Sequence, residues 1–346
     1  MKISLPKNCK VITNPPYSKF KTIRDGWEKT DVIKDSKELY SAFIEKIFNS
    51  AMSAVIISPF SFIAGEKFYS LRKLMCEKGN GSIVSFDNVP GNIFIGRKYG
   101  TFNSNVGNSV RAAVTTFIAS NNKKGFKVSP LIRFKNEERR DLLNCKVLNT
   151  LFPSSYQVVN DENKHFKKID KSLVKLFDAW ISKSKFSVST LCCADKSTPS
   201  FSLANTCRYF TTAYVKELSR TGKITLYPLD EDAFNFLYCF ICSSFTYWWW
   251  RIFDGGITYP VSLLNRMPVP YNLLTEDDKK FFKSTTQHLI SMEVTKMNAG
   301  SVQENIKIPS KIREDINIRL LEILDRKEDL SSLQKIHNNR FFENEK

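Results

Sequence analysis

Four residues near the start of the chain, Asn-Pro-Pro-Tyr at positions 14–17, have types and spacing suited to holding a planar ring that carries an exocyclic amine. Proline fixes φ, lacks a backbone donor and makes the preceding residue extended, so the two prolines predict a stiff turn. The Asn14 side chain and a free carbonyl of this turn can accept hydrogen bonds from the amine, while Tyr17 stacks on the ring that bears it.

The elements that must position this turn alternate between strands and helices. A β-prone stretch at 10–13 leads into the turn, and further strands are predicted at 54–59 and 82–86. Helices are predicted between them, one capped by Asp35 with an apolar stripe at Leu39, Phe43, Ile47 and Ala51, and one over 68–75 that stops at the glycines of 79–81. This order predicts parallel strands and an α/β domain with a partial Rossmann-like sheet.

After residue 87 the pattern becomes antiparallel. Residues 108–120 form a long β-prone run, 121–125 have the composition of a hairpin turn, and 126–134 would be the return strand. The pattern therefore predicts an antiparallel edge on a mainly parallel sheet.

The rest of the chain is less regular. We predict three domains: a catalytic part at 1–138, an irregular α+β recognition domain at 139–272, and a C-terminal helical segment at 273–346. Residues 234–250 contain no charge, but their polar and aromatic content favours a buried helix or helix–strand unit over a membrane span. In the tail, Thr275 and Asp278 have capping spacing, a second helix carries an apolar stripe at Ile312, Ile316, Leu320 and Ile323, and 300–309 resembles a linker.

Composition favours a folded protein with a polyanionic partner. The 346 residues are 42% hydrophobic and 13% aromatic, and 52 basic against 35 acidic residues give a net charge of +17. A basic surface with no such partner is the alternative. The scattered cysteines and three distant histidines predict no metal site and favour buried thiols in a reducing cytoplasm. No secretory signal or membrane association is expected.

The Asn-Pro-Pro-Tyr turn after a strand resembles the catalytic motif of amino-directed DNA methyltransferases, chiefly the adenine-N6 group. Other segments resemble later parts of these enzymes in the same order, and the last of them is similar to the close of the recognition domain in Eco57I-like restriction-modification enzymes. They are residues 58–62 with 68–75, 87–94 with 110–114, and 248–256 with 266–270.

The resemblance implies methyl transfer from S-adenosyl-L-methionine to an adenine that is flipped out of double-stranded DNA. The implied catalytic residues are Asn14, Pro15, Pro16 and Tyr17, with the Asn14 side chain and the Pro15 carbonyl accepting hydrogen bonds from the target amine and Asn14 also bordering the cofactor. Tyr17 and Phe94 would stack on the two faces of the base, with Phe102 in reserve for Phe94. The candidate DNA contacts are Lys19, Arg111, Lys164, Lys167 and Lys168. Plain packing of Phe94 and a solvated basic face are the alternatives.

The family's glycine-rich cofactor turn is missing from its usual place, because only thirteen residues precede Asn14. The nearest glycine pair, Gly255-Gly256, lies in a different context. Two interpretations follow: half of a split methyltransferase whose partner chain carries the cofactor pocket, or a truncated, inactive DNA-binding remnant. A specificity subunit without catalysis and an N4-cytosine enzyme remain open, and a nuclease is disfavoured because no carboxylate–lysine constellation is apparent.

Overall fold

The computed structural model describes residues 5–6, 8–20, 30–94, 110–142, 150–207, 210–216, 218, 222–298, 301–305 and 308–337. The chain divides into two compact units. The first comprises Met1–Lys171, Ile252–Asp254 and Asn339–Lys346, and the second comprises Ser172–Arg251 and Gly255–Asn338. The three predicted functional domains stay a prediction, and the reserve stacking residue Phe102 lies outside the described residues.

The first unit is built on a mixed five-stranded sheet, which confirms the α/β class. Its strands are β1 (Lys10–Thr13), β2 (Ser53–Pro59), β3 (Gly79–Phe86), β4 (Ala112–Ala119) and β5 (Gly125–Ile132). Their order is β1-β2-β4-β3-β5, and β4 runs against the other four. The predicted strands at 10–13, 54–59 and 82–86 are confirmed within these elements.

The predicted hairpin between β4 and β5 is wrong, because β3 lies between them and the antiparallel strand is internal rather than at the edge. The helix at Tyr69–Lys78 ends directly before Gly79, as predicted, and Gly79 and Gly81 then begin β3 and allow β4 to approach. A Cβ atom at Gly79 would lie 2.1 Å from the Ile118 carbonyl oxygen, and one at Gly81 would lie 1.8 Å from that of Thr116. The connection to β5 passes the start of β3, where the Asn80 side chain donates to the Lys123 carbonyl.

Three helices pack on one face of this sheet: α1 (Asp31–Ser36), α2 (Leu39–Ser50) and α3 (Tyr69–Lys78). The prediction that Asp35 caps a helix is wrong, because Thr30 caps α1 by accepting from the Ile33 amide and Asp35 lies inside that helix. The predicted stripe of α2 is confirmed at Ile47 and Ala51, which are buried, and is wrong at Leu39 and Phe43, which are only partly buried. In that part of the helix the buried apolar residues are each one position later, at Tyr40 and Ile44.

The second unit has a three-stranded antiparallel sheet formed by β7 (Phe201–Ala204), β8 (Ala213–Tyr214) and β9 (Lys223–Leu226), with β7 in the centre. Two short strands, β6 (Phe186–Ser187) and β10 (Pro268–Val269), pair with each other. Its other α-helices and strands, in chain order, are α4 (Val174–Lys183), α5 (Glu231–Cys242), α6 (Ser244–Phe253), α7 (Val261–Asn265), α8 (Glu276–Ser291), the hairpin strands β11 (Val294–Asn298) and β12 (Ser301–Asn305), α9 (Ser310–Ile323) and α10 (Leu330–Lys335). The last two residues of α6 belong to the first unit.

The uncharged segment 234–250 is helical, as predicted, and spans α5 and α6, where nearly every side chain is buried. No helix in the described part of the chain combines the length and the apolar content that a membrane span needs. In the tail, the capping box of Thr275 and Asp278 is confirmed at the start of α8, and Ile316 and Leu320 are buried on α9. The predicted linker at 300–309 is wrong in part, because it contains β12.

Candidate functional site

The candidate site begins where β1 ends. The strand stops at Thr13, and after Asn14 come two prolines that cannot continue it, so the turn projects from the carboxyl end of a strand that is parallel to β2. Asn14 is exposed, Pro15 is buried and Tyr17 is half-buried. Among the described residues none donates a hydrogen bond to the Pro15 carbonyl. The turn therefore presents an amide side chain and a backbone acceptor beside an aromatic ring.

The Tyr17 hydroxyl links the turn to β2. It donates to Asn14 Oδ1 at 2.5 Å and also lies 3.2 Å from the Ile57 carbonyl oxygen, so its single proton is shared between two acceptors. Partial burial removes water from the phenol and raises the pKa of Tyr17 to about 12. The hydroxyl is therefore neutral at physiological pH and acts as a donor that orients the Asn14 amide.

The Tyr17 ring contacts two other aromatic rings edge to face. Its centroid lies 6.4 Å from that of Tyr40 and 5.5 Å from that of Phe94. Tyr40 is buried and its hydroxyl is 2.9 Å from Ser61 Oγ, so it forms a fixed support behind Tyr17. Sequence reasoning missed Tyr40 because the predicted stripe of α2 was one residue out of phase.

Phe94 comes at the end of a loop that starts at a buried carboxylate. Asp87 accepts from Arg111 Nε at 2.8 Å and from Arg133 Nε at 3.2 Å, and all three side chains are largely excluded from solvent. Two guanidinium partners offset the desolvation cost of burying the carboxylate better than one partner alone would. This triad, defined as Asp87, Arg111 and Arg133, fixes the first residue of the loop to the residue after β5 and to the residue before β4.

Further hydrogen bonds fix the loop up to Phe94. The Gly91 amide donates to the Phe134 carbonyl at 2.7 Å, and a Cβ atom at Gly91 would lie 2.5 Å from that same oxygen. The Asn92 carbonyl accepts from Arg139, and the Asn92 side chain accepts from the Phe94 amide at 3.1 Å. The half-buried Phe94 ring is thus brought to Tyr17 by contacts that begin at the triad.

The spacing of these two rings limits how a base can enter. A flat ring between two others needs about 7 Å, which is two van der Waals contacts of roughly 3.5 Å. Tyr17 and Phe94 are 5.5 Å apart with an angle of 69° between their planes, so they contact each other. A base can stack on both only after Phe94 moves away from Tyr17.

The predicted DNA-contact residues have different surroundings, although all lie in the first unit. Lys19 and Lys164 are exposed, and Lys164 Nζ is 5.6 Å from the centre of the Tyr69 ring. Lys167 is half-buried. Lys168 is buried, with Nζ 5.7 Å from the centre of the Phe60 ring, and Arg111 is in the triad. Lys19 and Lys164 are thus the most accessible to a phosphate, and the DNA-contact role of all five stays a prediction.

A buried arginine that sequence reasoning did not single out holds the segment containing Lys164. Arg72 Nε donates to the Lys164 carbonyl, and Nη1 donates to the carbonyls of Phe62 and Gly65, each at 2.8 Å. Desolvation lowers the pKa of Arg72 to about 10. In the sequence Arg72 is a single arginine on the apolar side of α3, and nothing there indicates its partners. Only the fold identifies this contact.

Asn14 is the residue predicted to border S-adenosyl-L-methionine, and that role stays a prediction. In the described residues no strand pairs with the edge of β1 that faces away from β2. The described residues also contain no cluster of three or more His, Cys, Asp or Glu side chains placed to hold a metal ion. Cys239 and Cys242 are buried free thiols, and burial raises the pKa of Cys242 to about 12.

Residues 10–94 match the model of a family described as Eco57I restriction-modification methylase. This match covers about a quarter of the chain and includes β1, the Asn-Pro-Pro-Tyr turn and the loop up to Phe94. No curated protein matches the chain.

Solved structures of restriction-modification proteins match larger shares of the chain at low identity. A DrdV–DNA complex matches with 17% identity and a TM-score of 0.31, covering 45% of this chain and 18% of that one. A nuclease-deletion mutant of the Type ISP enzyme LlaGI, in complex with a DNA substrate mimic, matches with 12% identity and a TM-score of 0.41, covering 82% and 41%. The M protein of the type I restriction enzyme EcoKI matches with 16% identity and a TM-score of 0.27, covering 51% and 31%. The chain therefore spans less than half of each matched protein.

Proposed function

We propose that the chain is the target-base part of a site-specific DNA methyltransferase that modifies the N6 amine of adenine and works with a second chain carrying most of the S-adenosyl-L-methionine pocket. The observation that carries this proposal is the group formed by Asn14, the Pro15 carbonyl, Tyr17 and Phe94 at the carboxyl end of β1. In parallel α/β sheets this is the end at which ligands bind. The family match over residues 10–94 supports the same assignment.

The roles of the residues follow from their chemistry. Asn14 Oδ1 has a second lone pair besides the one that faces Tyr17, so it and the Pro15 carbonyl can each accept one N–H of the target amine. Two such acceptors localise the lone pair of the amine nitrogen and aim it away from the turn. When bound, S-adenosyl-L-methionine supplies an electrophilic methyl group. The chain's part is to hold and orient the amine.

Stacking on aromatic rings recovers part of the cost of flipping. Extruding a base costs a few kcal/mol, and each stacked ring returns about 1–3 kcal/mol. Tyr17 is supported from behind by Tyr40 and keeps its position, whereas Phe94 must move to admit the base. DNA binding and the displacement of Phe94 are therefore coupled. The exposed Lys19 and Lys164 are the candidate phosphate contacts.

A second candidate function is a DNA-binding or specificity subunit, or a remnant of a larger enzyme, without catalysis. The net charge of +17 and the small share of a cofactor pocket favour it. This candidate predicts DNA affinity that does not depend on Asn14, and no methyl transfer with any partner chain.

Radiolabelled methyl transfer to DNA tests the proposal, measured for the chain alone and with its cofactor-binding partner. Asn14→Ala is expected to lower transfer at least 100-fold while DNA affinity changes less than threefold, and Tyr17→Ala is expected to lower transfer at least 100-fold and also to weaken DNA binding, because it removes a ring on which the base stacks. Tyr17→Phe keeps the ring and is expected to retain more activity than Tyr17→Ala. Chromatography of the digested DNA distinguishes N6-methyladenine from N4-methylcytosine. Unchanged transfer in both alanine variants contradicts the site, and an absence of transfer under any pairing favours the binding subunit.

A further inference from the structure

One part of the five-stranded sheet has an uncovered apolar surface. Ile12 of β1 is 88% exposed, Val55 of β2 is 38% exposed and Ile118 of β4 is 57% exposed. Ile12 lies opposite Val55, and Ile118 lies opposite Ser53, two residues from Val55 along β2. Since side chains two residues apart share a face, these residues form one surface, which we call the apolar strip. Together with Lys10 and Thr116 they line a shallow groove.

The rest of the sheet is covered by the chain itself. On the face opposite the strip, Ala54, Ile56 and Phe117 belong to the large core under α1, α2 and α3. On the same face as the strip, Val84 and Val114 pack in a second cluster with Phe86, Ile132, Phe134 and Leu142. The uncovered part is therefore confined to the strands nearest the outer edge of β1.

The size of the strip fits one helix. Three neighbouring strands span about 10 Å between the outer two, since adjacent strands lie about 4.8 Å apart. This equals the diameter of an α-helix with its side chains, about 10 Å. Sheets with parallel strands are normally covered on both faces, and an uncovered edge strand is a template for another strand. In the described residues β1 pairs with β2 alone, so an open edge and an uncovered face meet here.

We propose that the outer edge of β1 and the apolar strip together bind the partner chain of the methyltransferase, an α/β protein that adds a strand parallel to β1 and lays an amphipathic helix over the strip. The helix would carry apolar residues at helical spacing toward Ile12, Val55 and Ile118, and an acidic residue toward Lys10 at the groove. A strand added parallel to β1 ends beside Asn14. This inference rests on the proposed function, since it places the partner's cofactor residues at the end of the sheet where the base-binding turn lies.

A second copy of the chain that pairs edge to edge through β1 does not cover this surface. Two copies that pair through their β1 strands each keep α1, α2 and α3 over their own strands, because these helices are packed in the core of the same unit. Pairing would satisfy the strand edges and leave both apolar strips exposed. A partner that covers the strip must bring a helix on the face that this chain leaves open.

Photo-crosslinking from the strip tests the proposal with the full chain. A benzophenone amino acid is introduced at position 12 or 118, and at 257 as a matched control, since Ile257 is 58% exposed and lies in the second unit. The tagged chain is expressed in its native cell, irradiated and purified, and the cross-linked species is then labelled with tritiated S-adenosyl-L-methionine. We expect cross-links from positions 12 and 118, but not from 257, to one chain that binds the label.

Charge substitutions test partner binding at the same surface without a cross-linker. Ile12→Asp and Ile118→Asp are expected to lower recovery of the labelled partner at least tenfold, whereas Ile257→Asp leaves it unchanged. Thermal unfolding of the purified variants shows that they remain folded. A cross-link to the chain itself, to a chain that does not bind the label, or to no chain overturns the proposal. If the partner binds the strip but DNA is not methylated, the proposed function fails and the docking surface stands. If the chain methylates DNA alone, the need for a partner chain fails and the docking surface fails with it, whereas the base-binding site at Asn14 and Tyr17 stands.

Discussion

Aromatic residues gather in two regions of this molecule, and their surroundings differ. In the second unit Trp180, Trp248 and Phe245 pack against one another with ring centroids 5.1–6.3 Å apart, and all are buried. In the first unit Tyr17 and Phe94 are only partly buried, and hydrogen bonds and ion pairs hold them in place. Aromatic content alone therefore does not indicate a candidate site, whereas aromatic rings that are partly exposed beside aligned polar acceptors do.

The first prediction tests the packing role of the buried group. Trp180→Ala removes a fully buried side chain whose indole N–H donates to the Pro268 carbonyl at 3.0 Å, and it is expected to lower the free energy of unfolding by about 3–5 kcal/mol. Urea denaturation followed by circular dichroism measures this loss. Trp180→Phe, which keeps a ring, is expected to lose clearly less. A loss below about 1 kcal/mol for the alanine variant contradicts a packing role.

The second prediction concerns the triad that positions Phe94. Asp87→Asn removes the charge and leaves Arg133 buried without its carboxylate, so we expect a loss of about 3 kcal/mol in the free energy of unfolding. Because the loop begins at Asp87, methyl transfer should fall even in conditions where the variant is folded. The fluorescence of 2-aminopurine at the target position measures base flipping in the same sample. Glu137→Gln, at an exposed carboxylate near the loop, is the control and should change neither quantity.

The effect of Asp87→Asn on base flipping distinguishes a role in positioning Phe94 from a role in the general stability of the fold. A role in stability alone lowers the folded fraction and leaves the flipping signal per folded molecule unchanged. A positioning role lowers that signal, since Phe94 is no longer held where it can stack on the flipped base. Phe94→Ala should then reproduce the flipping defect without the loss of stability. If Asp87→Asn lowers stability and Phe94→Ala leaves flipping unchanged, the loop has no part in base binding.

The parts of the fold that the sequence predicts are those set by neighbouring residues. The strand before Asn14, the buried strand β2 and the capping box of Thr275 and Asp278 each follow from patterns of a few residues. The position of β4 in the sheet does not follow from such a local pattern. It depends on Gly79 and Gly81, which leave room for a strand that comes 35 or more residues later in the sequence. The predicted hairpin was a plausible local pairing that this long-range contact replaces.

The candidate site divides in the same way. Residues 14–17 could be predicted because the motif is continuous in the sequence. The triad could not, because its ion pairs join residues 24 and 46 positions apart, and Arg111 then appears in the sequence as one more basic residue. Tyr40 was missed because one residue of phase on α2 decides which ring faces the core and which faces Tyr17. The residues of the motif are adjacent in the sequence, whereas the residues that hold them in place are brought together only by the fold.

The smallest expected effect concerns the Tyr17 hydroxyl. Tyr17→Phe removes a hydrogen bond to Asn14 and is expected to lower the free energy of unfolding by about 1 kcal/mol at neutral pH. The folded-state pKa of Tyr17, about 12, is above the ordinary value of 10.0. Below pH 10 the phenol is protonated in both states, so its contribution is fully present. Between pH 10 and about 12 the unfolded chain loses the proton first, and the contribution declines.

The difference in unfolding free energy between the wild-type protein and Tyr17→Phe should therefore be constant from pH 7 to 9 and shrink above pH 10. Urea denaturation at each pH measures it. The pKa values of Tyr69, Tyr238 and Tyr271 are also raised, but these tyrosines are present in both proteins, so their titration cancels in the difference. The pKa of Tyr40 is raised mainly by burial and only in smaller part by Tyr17. A difference that grows above pH 10 would mean that the folded state favours the ionised phenol, and Tyr17 would then not be the neutral donor that orients Asn14.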